Sequence, residues 1–110
     1  MEAFTDGLTK LYNRKYLDIL LKELYNKRVC LIELDIDHFK KINDTFGHQF
    51  GDEVLQQIAK ILKSNVRDED IVIRMGGEEF LVVPSVENID TASKIAQKLR
   101  EAIEKYDFKK

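Results

Sequence analysis

Tryptophan is absent from this sequence, and cysteine and proline each occur once. One cysteine cannot close an internal disulfide, so no disulfide framework holds the chain, and a reducing compartment suits it. Cys30 lies within the apolar run Val29-Cys30-Leu31-Ile32 and reads as a buried structural thiol. Charge of one sign is lacking too: 18 basic and 20 acidic residues leave a formal net charge of -2. That balance gives no electrostatic basis for gripping a nucleic-acid polymer. No apolar run is long enough to span a bilayer and no signal-peptide pattern opens the chain, so a cytoplasmic location is expected. The only two histidines, His38 and His48, have no partner histidine or cysteine at ligand spacing, which argues against a zinc site.

What is present is enough apolar material for one modest core. With 110 residues and 44% hydrophobic content, residues 1–110 read as a single domain. Residues 1–7 form a lead-in. Asn13 is placed to cap a helix to about Asn26, with Tyr16, Leu17, Leu20, Leu21 and Leu24 on its inner face. Residues 28–35 follow as a strand, with Cys30, Ile32, Leu34 and Ile36 on one face and Leu31, Glu33 and Asp35 on the other. Residues 39–46 read as a short helix stopped by Gly47. A second helix is expected from Gly51 or Asp52 to about Asn65, its first turn carrying Asp52 and Glu53 at the positive end of the dipole. Residues 70–75 and 80–84 read as a hairpin, and Asp90 as the cap of a last helix to about Tyr106.

The order α-β-α-β-β-α is an α/β (α+β) arrangement. Without its first helix it is the split-βαβ pattern lacking the last strand, and that absence leaves residues 29–35 as an open apolar sheet edge.

The hairpin carries the chemistry. Gly76 and Gly77 join two β-rich runs and are followed at once by Glu78 and Glu79. Carboxylates at a sheet rim, beside glycines that admit a ligand to the backbone, are candidate ligands for a hard cation. Upstream, Leu34-Asp35-Ile36-Asp37 ends another apolar run with acids, and together these indicate a metal-assisted phosphate site. Asp37 reads more readily as a cap of the next helix than as a ligand. Asp6 and Arg14 read as an ion pair fixing the lead-in turn, and His48 as a residue that orders its loop.

Four motifs in order resemble the GGDEF family of diguanylate cyclases: Asp6-Gly-Leu-Thr-Lys-Leu-Tyr-Asn-Arg14, Asp35-Ile-Asp-His-Phe-Lys-Lys-Ile-Asn-Asp44, Gly47-His48 with Gly51-Asp52, and Gly76-Gly-Glu-Glu-Phe80. The resemblance implies a palm-like, ferredoxin-related fold that condenses two GTP molecules into cyclic di-GMP with release of pyrophosphate. It implies Mg²⁺ (or Mn²⁺) held by Asp35, the Ile36 carbonyl and Glu78, with Glu79 assisting the metal and the 3′-hydroxyl proton. Lys40 and the backbone at His38 and Phe39 would hold the terminal phosphates, Asn43 and Asp52 would read guanine, and Gly76 and Gly77 would leave room for the nucleotide. Arg67, Asp70 and Arg74 match positions used for product inhibition by cyclic di-GMP.

Catalysis in that family joins two domains, so a homodimer is expected, commonly under a sensory domain elsewhere in the parent chain. Gly7 stands where proline is common and Lys15 where a second arginine is frequent. Family domains are expected to continue into a further strand and a helix with phosphate-binding basic residues, which these residues do not include. Two alternatives stand beside the enzyme: a module that binds GTP or cyclic di-GMP without turnover, and an inactive fragment that self-associates through its open edge.

Overall fold

A computed structural model describes residues 3–108; Met1, Glu2, Lys109 and Lys110, and with them the extremities of the expected lead-in and domain, lie outside the described residues. The elements run α1 (Arg14–Glu23), β1 (Ile32–Asp35), α2 (Phe39–Phe46), α3 (His48–Ser64), β2 (Ile71–Gly76), β3 (Glu79–Val83) and α4 (Ile89–Lys105). The two helices expected over residues 39–46 and from 51 or 52 to about 65 both form and meet at Gly47; the order α-β-α-β-β-α counted them as one. The strands make one antiparallel sheet in the order β1-β3-β2.

Helices cover the sheet from both sides, and strand alternation decides which core each residue joins. Ile32, Val72, Phe80 and Val82 pack with Val54, Leu55, Ile58 and Leu62 of α3 and Leu99 of α4. Ile73, Leu81 and Val83 face the other way, against Leu17 and Leu20 of α1. That second layer is narrow. On its side of β1, Leu31, Glu33 and Asp35 stay exposed, and Glu33 faces solvent opposite Leu81.

Several boundaries move for local physical reasons. β1 begins at Ile32, where residue 28 was expected, because Ile32 pairs with Val82 and Pro84 closes the partner strand soon after. Proline has no amide to continue the ladder. α3 begins at His48, earlier than Gly51 or Asp52, because Gly47 (φ 93°) ends α2 and starts α3 in one residue. Asp52 and Glu53 thus lie beyond the first turn, which holds no acid. His48 is helical, not a loop residue. Asn13 caps α1 as expected, accepting from the Tyr16 amide, but Leu21 is exposed. The cap of α4 is Asn88, whose Oδ1 accepts from the amides of Asp90 and Thr91.

β1 pairs only with β3 among the described residues, so its outer edge is open. A groove of about 520 Å³ runs along that edge, lined among others by Ile32, Leu34, Phe80, Ile58, Ala96 and Arg100. The opposite sheet edge is partly occupied: Tyr12 bridges to Ile73, and its carbonyl accepts from the Arg74 amide at 2.9 Å.

Candidate functional site

The site grows from the strand register. In β1–β3 pairing, Asp35 stands directly opposite Glu79, and the Ile36 amide donates to the Glu78 carbonyl at 3.3 Å. Two residues separated by more than forty positions in sequence are thereby neighbours. The tight connection between β2 and β3 makes this possible: the register shifts between Arg74 and Gly76, and Gly77 takes φ 50°, a left-handed conformation suited to glycine. Glu79 is the first residue of a strand, not a turn residue as expected, and only Gly77 and Glu78 form the connection.

Like charges directly opposite each other on neighbouring strands are destabilising. Here neither an ion pair nor a hydrogen bond engages the side chains of Asp35, Glu78 or Glu79 among the described residues. Asp35 and Glu79 are exposed and Glu78 is half-buried. No group of three or more His, Cys, Asp or Glu side chains sits close enough to hold a metal among the described residues. Magnesium does not require one, because it keeps several waters and takes one or two carboxylates together with substrate phosphates. Carboxylates of unrelieved charge, opposed across the β1–β3 ladder, fit that chemistry.

Next to the acids lies the start of α2. His38 occupies the cap position in a left-handed conformation (φ 59°), and no side chain caps the helix. Asp37 therefore does not serve as the cap, contrary to the expectation. Among the described residues the first-turn amides have no side-chain acceptor, the usual condition of an anion-binding helix start. Lys40 is exposed and pairs with Asp44 at 3.2 Å, a solvated contact of little energy. Asn43, on the same helix, meets Gly51 of α3, and Asp52 follows at the surface.

The residues expected to hold product divide between two places. Asp70 is 3% exposed. Its Oδ1 accepts from the Ser85 amide at 2.7 Å, and its Oδ2 from the Arg67 amide at 2.9 Å. Burial alone would raise this carboxyl; the amides of Ser85 and Arg67 and the Arg67 guanidinium outweigh it and hold the pKa below the usual range. The Arg67 side chain is about half exposed and its guanidinium touches Asp70, Glu69 and the Ser85 carbonyl.

Arg74 is elsewhere. Its Nη1 meets Asp6 at 3.1 Å, while Nε and Nη2 donate to the Gly77 carbonyl at 3.1 and 2.9 Å. The partner of Asp6 is thus Arg74, and the expected pair with Arg14 does not form. Asp6 also accepts from the Thr9 amide and hydroxyl. Burial pushes its carboxyl up, and these bonds with Arg74 bring it below the ordinary value. Through Arg74, the lead-in is tied to the turn that carries the acids. Sequence spacing held no signal for a pairing 68 residues apart.

The sequence profile described as "Diguanylate cyclase, GGDEF domain" matches residues 3–110. Over 104 residues the chain is 49% identical to Response regulator PleD of Caulobacter vibrioides, covering 89% of this chain and 23% of that protein. It is 42% identical over 110 residues to Diguanylate cyclase VdcA of Vibrio cholerae, covering 98% of this chain and 32% of that protein. The chain thus spans less than a third of these relatives' length. Among solved structures, the GGDEF domain of DgcB from Caulobacter crescentus, in complex with c-di-GMP, superposes with a TM-score of 0.81 at 38% identity. The match covers 91% of this chain and 62% of that one.

Proposed function

The chain belongs to the GGDEF family of diguanylate cyclase domains, and from that membership we propose that it forms the GTP half-site of a Mg²⁺-dependent diguanylate cyclase. The observation that carries the reading is the register that sets Asp35 opposite Glu79 with Glu78 alongside. Asp35, Glu78 and the Ile36 carbonyl would hold the divalent ion, which supplies charge neutralisation for phosphoryl transfer. Asn43 and Asp52 read the guanine edge. Lys40 and the uncapped amides at the start of α2, beside His38 and Phe39, receive the terminal phosphates. Gly76 and Gly77 keep side chains out of the nucleotide's path.

In the reaction, the Glu79 carboxylate accepts the proton of a ribose 3′-hydroxyl. The freed oxygen attacks the α-phosphorus of a second GTP, held by a second domain, and pyrophosphate departs. Two such transfers close cyclic di-GMP, so the working unit is a homodimer.

A second site for the product centres on the half-exposed Arg67 guanidinium, whose cation and planar donors suit a phosphate or a guanine edge. The relative DgcB was solved in complex with c-di-GMP. Asp70 would act there by fixing the backbone of Arg67, since its own oxygens already accept from two amides. Arg74 would contribute by holding the hairpin.

Incubation with GTP and Mg²⁺, resolved by chromatography, tests the catalytic reading, and Mg²⁺-dependent GTP binding tests the site itself. Asp35→Asn is expected to remove the Mg²⁺ dependence of binding. Binding of GTP that ignores both Mg²⁺ and this substitution would contradict the assignment.

A further inference from the structure

Gly51 is buried within α3 and is not among the glycines with positive φ, so its backbone would accept any L-residue. Glycine inside a helix is less stable than alanine. Space, not conformation, is what this position requires. A Cβ added to Gly51 would collide with Oδ1 of Asn43 and stand 3.0 Å from its Cγ, with Cζ of Phe39 at 3.3 Å. The same Asn43 Oδ1 is buried and has no hydrogen-bond partner among the described residues. A buried acceptor left unpaired is costly and uncommon, and calls for a physical reason.

We propose that Gly51 is a positioning residue for base recognition: its missing side chain is the seat of the Asn43 carboxamide. With one end of that amide packed against the α3 backbone, the other end has a fixed direction. Any side chain at position 51 would evict the amide and turn it away. The inference rests on the reading of Asn43 as a guanine-contacting residue. It adds that the contact is set by a residue on the neighbouring helix that does not itself touch the base.

Gly51→Ala, Asn43→Ala and the double variant test this in two ways. In thermal denaturation the seat predicts a reversal of sign. Gly51→Ala lowers the Tm of the unaltered chain and raises it in the Asn43→Ala background, where alanine's helix propensity acts and only Phe39 must yield slightly. Equal lowering in both backgrounds overturns the proposal. In calorimetry with Mg²⁺, Gly51→Ala cuts the preference for GTP over ATP about tenfold, the loss of one hydrogen bond, and the double variant loses no more than Asn43→Ala does. Additive losses would mean that Gly51 acts apart from Asn43, and would also overturn it. Failure of the guanine reading has its own signature: Asn43→Ala keeps the GTP preference while the Tm reversal persists, which removes the recognition role and leaves only the packing.

Discussion

Two sets of acids at opposite ends of β2 and β3 show how differently carboxylates are used in this domain. Asp70 is buried, and each of its oxygens accepts from a backbone amide. Asp35 faces Glu79 across the ladder with Glu78 beside it in sequence, and among the described residues no donor or cation meets their side chains. The first arrangement lowers the energy of the fold and closes the segment between α3 and β2 onto Ser85. The second raises it, since like charges face each other across the ladder. A fold accepts that cost where a ligand from outside removes it.

The contrast can be broken first at the open acids. Glu79→Gln is expected to lower turnover by about 10²- to 10⁴-fold, the usual contribution of a general base, with GTP binding retained. Unchanged turnover in a quantitative product assay would remove Glu79 from the proton-transfer role. At the closed acid the effect should fall on stability instead. Asp70→Ala leaves the Ser85 and Arg67 amides without their acceptor and is expected to cost about 3 kcal/mol, read from urea denaturation. The same substitution frees Arg67, so product inhibition should weaken with it.

Acid sharpens the same distinction. The folded pKa of Asp70 and of Asp6 lies below the ordinary 3.8. Each therefore contributes stability that is present above the unfolded value and is lost as the pH falls through the folded one. The predicted window lies below pH 3.8, and Asp70→Asn should flatten the acid limb there. An unaltered limb would show that the Asp70 hydrogen bonds do not persist in solution.

Two smaller effects follow. Asp6→Asn weakens the tie to Arg74 and should cost about 1 kcal/mol, with the hairpin amides near Gly77 exchanging faster. Smallest of all, Glu79→Gln should raise stability by a few tenths of a kcal/mol in metal-free buffer, because it removes one of two facing charges. A decrease would mean that the opposition of Asp35 and Glu79 is already relieved within the chain.

Much of this was readable along the chain. Alternation put Ile32 and Leu34 on the buried face of β1 and Glu33 and Asp35 on the other face, and the glycine pair before two glutamates marked the hairpin. Asn13 was recognisable as a cap because its bond to Tyr16 is local. What escaped were features decided by distant partners or by one residue with two duties. Gly47 ends one helix and begins the next, so the start of α3 was expected too late. Asp90 was expected to cap the last helix, but Asn88, an equally good cap two residues earlier, takes that place. Arg74 belongs to Asp6 because the lead-in runs beside β2, which no spacing within residues 1–14 reveals. The Gly51 and Asn43 contact is likewise a product of helix packing.

The proposal that Asp35, Glu78 and Glu79 gather around a divalent ion is best tested by substituting Mn²⁺ for Mg²⁺ in the presence of GTP. Paramagnetic broadening of backbone amide signals then reports distance from the ion. The account predicts that the amides of Asp35, Ile36, Glu78 and Glu79 broaden first and together, while those of Asp70 and Ser85 stay sharp. Broadening that spares the β1–β3 end, or that reaches Asp70 first, would contradict it.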